Sequence, residues 1–184
     1  YPLILKALSL VRAREPKPGL EPQPLSLSVI VTAYNEAERI REKIENTLEL
    51  NFDPQRLELV VASDCSDDGT DEIAAEYADR GVKLVRATER LGKENAQRTA
   101  IEQARGDIIV FSDVATRIPA NALIELERYF QDPSVGAVSS EDRFISQSGE
   151  VAGEGAYVKY EMWLRRQESQ LAGLVGLSGS FFAA

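Results

Sequence analysis

The chain of 184 residues contains no histidine. Imidazole is thereby removed as general base, nucleophile partner or metal ligand, and acid-base chemistry falls to carboxylates, Lys, Tyr or Cys. A single cysteine, Cys65, excludes an intrachain disulfide framework and points to a reducing compartment. No apolar run approaches the roughly 20 residues that a membrane span requires, so nothing in this chain is expected to cross a bilayer. No extended basic patch accompanies the net charge of -9, which argues against nucleic acid as a partner, since phosphate backbones are bound by clustered Lys and Arg. An anionic nucleotide can still bind locally. Glycine fingerprints are missing as well: there is no G-x-G-x-x-G after the first apolar run and no G-x-x-x-x-G-K-S/T anywhere, which disfavours a dinucleotide oxidoreductase or a P-loop NTPase.

What is present is a globular composition, 43% apolar, long enough for one domain with a sizeable core. The chain starts at Tyr1 and stops in the apolar stretch Phe181-Phe182-Ala183-Ala184, and so reads as cut at both ends. Residues 1–14 carry an apolar stripe, with Leu3, Ile4, Leu5, Leu8 and Val11, followed by Arg12 and Arg14. That is the pattern of a membrane-proximal or interfacial helix, or of a short surface helix packed on the domain. Residues 15–24, with Pro16, Pro18, Pro22 and Pro24, form an extended linker, because proline removes backbone donors and disfavours helix before it. The folded domain is expected over 25–184. Within it, strands over 27–32, 57–62, 82–86, 108–112 and 135–140 alternate with helices over 36–50, 70–80, 93–104 and 119–130, a βαβ series. Asp67 or Asp68 is placed to cap the second helix, and Gly81 and Gly106 stand where helices must turn. A further amphipathic helix is expected over 157–171.

Three apolar strands end in polar clusters, where parallel sheets gather ligands. The first is Thr32-Ala33-Tyr34-Asn35-Glu36: Tyr34 can offer a ring face to a base and Thr32 a polar edge, or Asn35 simply caps the helix while Tyr34 packs on it. The second runs from Ser63-Asp64-Cys65 to Asp67-Asp68-Gly69-Thr70. Asp64 can accept a hydrogen bond from a base nitrogen or ribose, and the spacing does not fit a calcium loop. The third is Ser112-Asp113-Val114-Ala115-Thr116. Asp113 can hold a divalent cation that grips a diphosphate, or it merely forms a turn. Lys93, at a helix amino terminus with Arg90 just before it, is either a phosphate contact or an ordinary surface lysine.

Taken in order, these clusters, Gly92-Lys93, Phe111-Ser112-Asp113, and the later stretches Tyr160-Glu161-Met162-Trp163-Leu164-Arg165-Arg166 and Gly176-Leu177-Ser178-Gly179-Ser180 resemble family 2 glycosyltransferases. They are most similar to the membrane-associated cellulose synthase and hyaluronan synthase type. The resemblance implies an α/β GT-A (Rossmann-like) fold, a mostly parallel sheet flanked by helices and incomplete at the carboxyl-terminal side. It implies a hexosyltransferase-type enzyme that transfers a sugar, with inversion, from a nucleotide-diphosphate donor, UDP above all, to a saccharide or lipid-linked acceptor. It also implies polysaccharide biosynthesis at the cytoplasmic face of a membrane reached through the parent protein. By family pattern Thr32, Ala33, Tyr34, Glu36, Asp64, Lys93, Ser112 and Asp113 bind the donor. Asp113 would hold Mg²⁺ or Mn²⁺, and Gly179 and Ser180 lie on the acceptor side. Two positions depart from the pattern: Ala115 replaces the second metal ligand, and Ser63 replaces the first acid of the second cluster. The catalytic base is expected beyond Ala184, with Glu141 and Asp142 as lesser candidates, so the piece alone is expected to bind rather than to catalyse. A catalytically inactive nucleotide-binding or scaffolding module of the same fold is the alternative.

Overall fold

The computed structural model describes residues 23–140, Trp163 and residues 179–184. The helix expected at 1–14, most of the linker, all but Trp163 of the helix at 157–171, and Glu141 and Asp142 lie outside the described residues. No helix among the described residues is long and apolar enough to cross a membrane.

Strands β1 (Leu27–Ala33), β2 (Leu57–Ser63), β3 (Val82–Arg86) and β4 (Ile108–Asp113) alternate with helices α1 (Ile40–Leu48), α2 (Thr70–Ala75), α3 (Lys93–Ile101) and α4 (Ala122–Phe130). Two short strands, β5 (Val138–Ser139) and β6 (Phe181–Ala183), complete a sheet of order β3-β2-β1-β4-β6-β5. The first four strands are parallel, while β6 runs antiparallel to both β4 and β5. Leu27, Val29, Ile30 and Val31 of β1 are wholly buried, because helices cover both faces of this central strand. Ile40 and Ile44 of α1, Ala74 of α2, and Leu123 and Leu126 of α4 pack on one face. Ala96 and Ala100 of α3 pack on the other, with Ile30, Val60 and Phe111.

The chain leaves β1 for β2 and β3 on one side, then returns to place β4 on the other. The carboxyl ends of β1 and β4 therefore flank a topological switch point, the crevice where open α/β sheets bind ligands. Register puts Thr32 opposite both Ala62 and Asp113, and Ala33 opposite Ser63, so the three strand-end clusters open onto one edge.

Several boundaries differ from those the periodicity predicts. Helix α1 begins at Ile40 rather than 36, since the Glu36 carbonyl first closes a turn with the Arg39 and Ile40 amides. The helix expected over 70–80 divides into α2 and a 3₁₀ turn (Ala78–Arg80), which ends at Gly81 in the left-handed region. The strand expected over 135–140 shrinks to Val138–Ser139. A turn consumes its beginning, with the Val135 amide on the Asp132 carbonyl and the Ser134 amide on the Asp132 carboxylate. Strand β6 was not anticipated; it wins its place beside β4 by stacking Phe182 on Phe111, ring centroids 4.6 Å apart. Gly106 proves to matter for close approach: a Cβ there would lie 2.4 Å from the Ser28 nitrogen on β1.

Candidate functional site

The edge at the ends of β1 and β2 is built by two loops locked to each other. Asn35, at φ 52, donates from Nδ2 to Asp67 (2.8 Å) and accepts the Asp67 amide at Oδ1 (3.0 Å). The Ala37 amide donates to Asp68 (3.0 Å), and the Glu36 amide to Thr70 Oγ1 (2.8 Å). Asp68 also takes the Thr70 amide (3.0 Å) and hydroxyl (2.5 Å), but the N-cap expected of Asp67 or Asp68 falls to the left-handed Gly69, which has no side-chain cap. The hydrogen bonds from the Thr70 hydroxyl first, and then from the Ala37 amide, hold the Asp68 carboxyl below the usual carboxylate range. Asp67 instead ties the first loop to the second.

Asp64 is only 5% exposed, and its carboxylate accepts the Leu91 amide (3.2 Å) and the Gly92 amide (3.1 Å to each oxygen). Gly92 sits at φ 95, a conformation that L side chains rarely adopt, which is why glycine stands where the loop bends onto the acid. The same loop delivers Arg90 and Lys93. The Arg90 guanidinium lies 3.9 Å from the ring centroid of Tyr34, covering a face of that half-exposed aromatic in a cation–π arrangement. Thr32 Oγ1 is buried with no hydrogen-bond partner among the described residues, an orphaned polar atom at the end of β1. The Ala33 carbonyl accepts the Asp64 amide (3.0 Å), fixing the two strand ends side by side. Glu36 contributes chiefly its backbone; its carboxylate lies 4.0 Å from Arg39.

At the end of β4, Lys93 Nζ donates to Asp113 Oδ1 (2.5 Å) and to the Gly179 carbonyl (2.7 Å). The Asp113 amide donates to the Ser180 carbonyl (3.0 Å). Gly179 and Ser180, expected near an acceptor, thus also close the side of the Lys93–Asp113 pair. Ser112 is buried, and its hydroxyl accepts from Lys43 Nζ (2.7 Å).

Lys43 was missed by the sequence reading. It is 2% exposed, and burial pushes its amine down to about 7, against the opposing pull of the Asp113 charge. A signal did exist: Lys43 falls on the Ile40, Ile44, Thr47 stripe that faces the core, where a surface lysine does not belong. Arg90 over Tyr34 had no such signal, since loop side chains follow no period.

Among the described residues no three His, Cys, Asp or Glu side chains converge. Asp113 is engaged by Lys93, and Ala115 has no donor atom to add. One carboxylate does suit a hard cation that keeps its waters and takes its remaining ligands from a diphosphate. The fit is to a cation brought in with the donor.

A mostly parallel sheet with acids at the carboxyl ends of its strands makes this an α/β domain of the GT-A (Rossmann-like) class. Residues 28–180 match the profile of Glycosyl transferase family 2, and the chain belongs to that family. Its fold superposes on the mannosyltransferase PcManGT from Pyrobaculum calidifontis, solved with GDP-Man and Mn²⁺. The TM-score is 0.79 at 30% identity, covering 99% of this chain and 51% of that one. S. aureus TarS 1-349, solved with UDP-GlcNAc, matches with a TM-score of 0.55 at 25% identity over 67% of this chain and 37% of that one. The β-monoglucosyldiacylglycerol synthase of Trichormus variabilis is 27% identical over 161 residues, 84% of this chain and 34% of that protein. The chain spans between 17% and 36% of the curated relatives it matches.

Proposed function

We propose that this chain is the donor-binding part of an inverting glycosyltransferase that uses a nucleotide-diphosphate sugar, with UDP as the nucleotide. The observation that carries this reading is the buried Asp64 carboxylate bound to the amides of the loop that delivers Lys93. Base recognition and diphosphate contact are thereby joined in one rigid unit. Asp64 accepts from the imide nitrogen of uracil, and Tyr34 and the orphaned Thr32 hydroxyl, with the Ala33 backbone, border the base. Lys93 turns from Asp113 to the diphosphate, and Ser112 and Glu36 shape the walls. A divalent cation, Mg²⁺ or Mn²⁺, held by Asp113 and the diphosphate oxygens would offset charge on the leaving group. The acceptor hydroxyl of a saccharide or lipid-linked substrate, approaching near Gly179 and Ser180, attacks the anomeric carbon as the bond to the diphosphate breaks. Its proton passes to a carboxylate that is not among the described residues.

We propose further that the parent is of the membrane-associated cellulose synthase and hyaluronan synthase type, with its domain at the cytoplasmic face. The apolar stripe at 1–14 and the lipid product named for the Trichormus relative support this. Calorimetric titration with UDP and with GDP, each with and without Mn²⁺, tests the donor site. Absence of binding in all arms sinks it, and preference for GDP overturns the uridine assignment. Ala115 and the Lys93–Asp113 pair favour one other reading, a nucleotide-binding module without catalysis. Sugar transfer by the parent protein that vanishes on Asp113→Asn excludes that alternative.

A further inference from the structure

Lysine is almost never fully buried unless it is paired. Lys43 sits on the core face of α1 with no carboxylate among its described hydrogen-bond partners: Nζ donates to Ser112 Oγ at 2.7 Å and to the Thr116 carbonyl at 2.5 Å. These acceptors bracket the turn that carries Asp113 and Ala115, a turn closed by the Thr116 amide on the Asp113 carbonyl (3.2 Å). One amine therefore ties both ends of that turn to α1. Asn46, on the same helix, adds a second tie, donating to the Ile118 carbonyl (3.0 Å) and accepting the Ile118 amide (2.8 Å). Beside them lies a cleft of about 340 Å³, lined by Arg39, Lys43, Asn46, Val114, Ala115 and Arg117 among others, while the Val114 side chain of the same turn is buried in the core. Side-chain ties from α1 thus restrain the turn together with the buried Val114. An aliphatic side chain would fill the place of Lys43 without the cost of desolvating a charge. What only the amine supplies is a pair of directed donors, which it keeps in either protonation state.

Resting on the donor-site reading above, we infer that Lys43 is a positioning residue for the diphosphate-binding end of the site. Acting through Ser112 and Thr116, it holds the turn so that the Asp113 carboxylate meets the donor's diphosphate and its cation. It does not touch the base pocket, which is built on Tyr34, Asp64 and the Leu91-Gly92 amides. Lys43 thus divides the site into a half that depends on it and a half that does not.

The test compares the wild-type chain with Lys43→Met, a side chain of similar length that donates no hydrogen bond. Binding of uridine, UDP, and UDP with Mn²⁺ is measured by calorimetry. Uridine affinity is expected to stay within about twofold, while the affinity gained from Mn²⁺ in the UDP titration falls at least about tenfold, as when a support of a metal ligand is removed. An unchanged Mn²⁺ gain, or equal losses for uridine and for UDP with Mn²⁺, overturns the inference. Should Lys43→Met fail to fold by circular dichroism, Ser112→Ala keeps the lysine amine and removes one of its acceptors. A reduced Mn²⁺ gain in that variant supports the inference, and an unchanged gain overturns it. If the wild-type chain binds neither uridine nor UDP, the donor-site reading fails by itself. The clamp is then decided by amide hydrogen exchange over residues 113–117: faster exchange in Lys43→Met, or in Ser112→Ala if the former does not fold, supports it, and unchanged exchange overturns it.

Discussion

The buried amine of Lys43 makes the stability of this domain depend on pH in a direction opposite to that of the familiar ion-paired lysine. Burial lowers its pKa from 10.5 to about 7, while the unfolded chain keeps the ordinary value. Below about pH 7 both states carry the proton, and the native state bears the full cost of a desolvated charge, roughly 5 kcal/mol for a shift of this size. As pH rises from 7 towards 10.5 the unfolded state binds more protons than the native one, so stability increases. Between pH 7 and 9 the increase is about 2 kcal/mol, equivalent to a rise of roughly 4–8 °C in melting temperature for a domain of this size. The charged groups around the amine are Asp113, whose negative charge opposes the shift, and Arg39, Glu42 and Arg117 on the adjoining cleft. Urea denaturation of the wild-type chain and Lys43→Met at pH 6, 7, 8 and 9 isolates the effect, since the other titrating groups are common to both. The wild-type stability minus that of the variant should climb by about 2 kcal/mol from pH 7 to 9 and change little below pH 6. Parallel curves over the whole range would refute the account of Lys43 as a buried, desolvated amine.

Three further outcomes follow from named contacts. Asp64→Asn, which trades the carboxylate on the Leu91 and Gly92 amides for a group that is half donor, should weaken UDP by about 1.5–3 kcal/mol with or without Mn²⁺, read by calorimetry. Asp113→Asn should instead abolish the Mn²⁺-dependent part of UDP affinity and leave uridine binding as it was; retention of that part would remove Asp113 from the diphosphate site. Gly106→Ala should lower stability by about 1–3 kcal/mol in urea denaturation, because the added methyl meets the β1 backbone at Ser28 and Leu27.

Buried parallel strands announce themselves in sequence because they are covered on both faces and need continuous apolar residues. Hence β1 to β4 fall close to where the runs of Val, Ile and Leu predict, and the acids at their ends could be named in advance. Short edge strands lack that signal. Strand β6 forms because Phe182 finds Phe111 across the sheet, a pairing between segments far apart in the chain, and β5 keeps only the residues that β6 can pair. The lysine at 43 was visible as a polar residue on an apolar stripe, but its partners belong to β4 and the turn after it.

The sequence by itself determined the alternation of strands and helices, the absence of imidazole chemistry, and the strand-end acids Asp64 and Asp113, because these depend on local periodicity and residue type. Only the tertiary structure decided which groups face each other there. Asp64 receives the loop that carries Lys93, Arg90 covers Tyr34, and Asp113 stands between Lys93 on one side and the turn gripped by Lys43 on the other. Such contacts join residues from different elements, and sheet order and register, not spacing along the chain, set their distances.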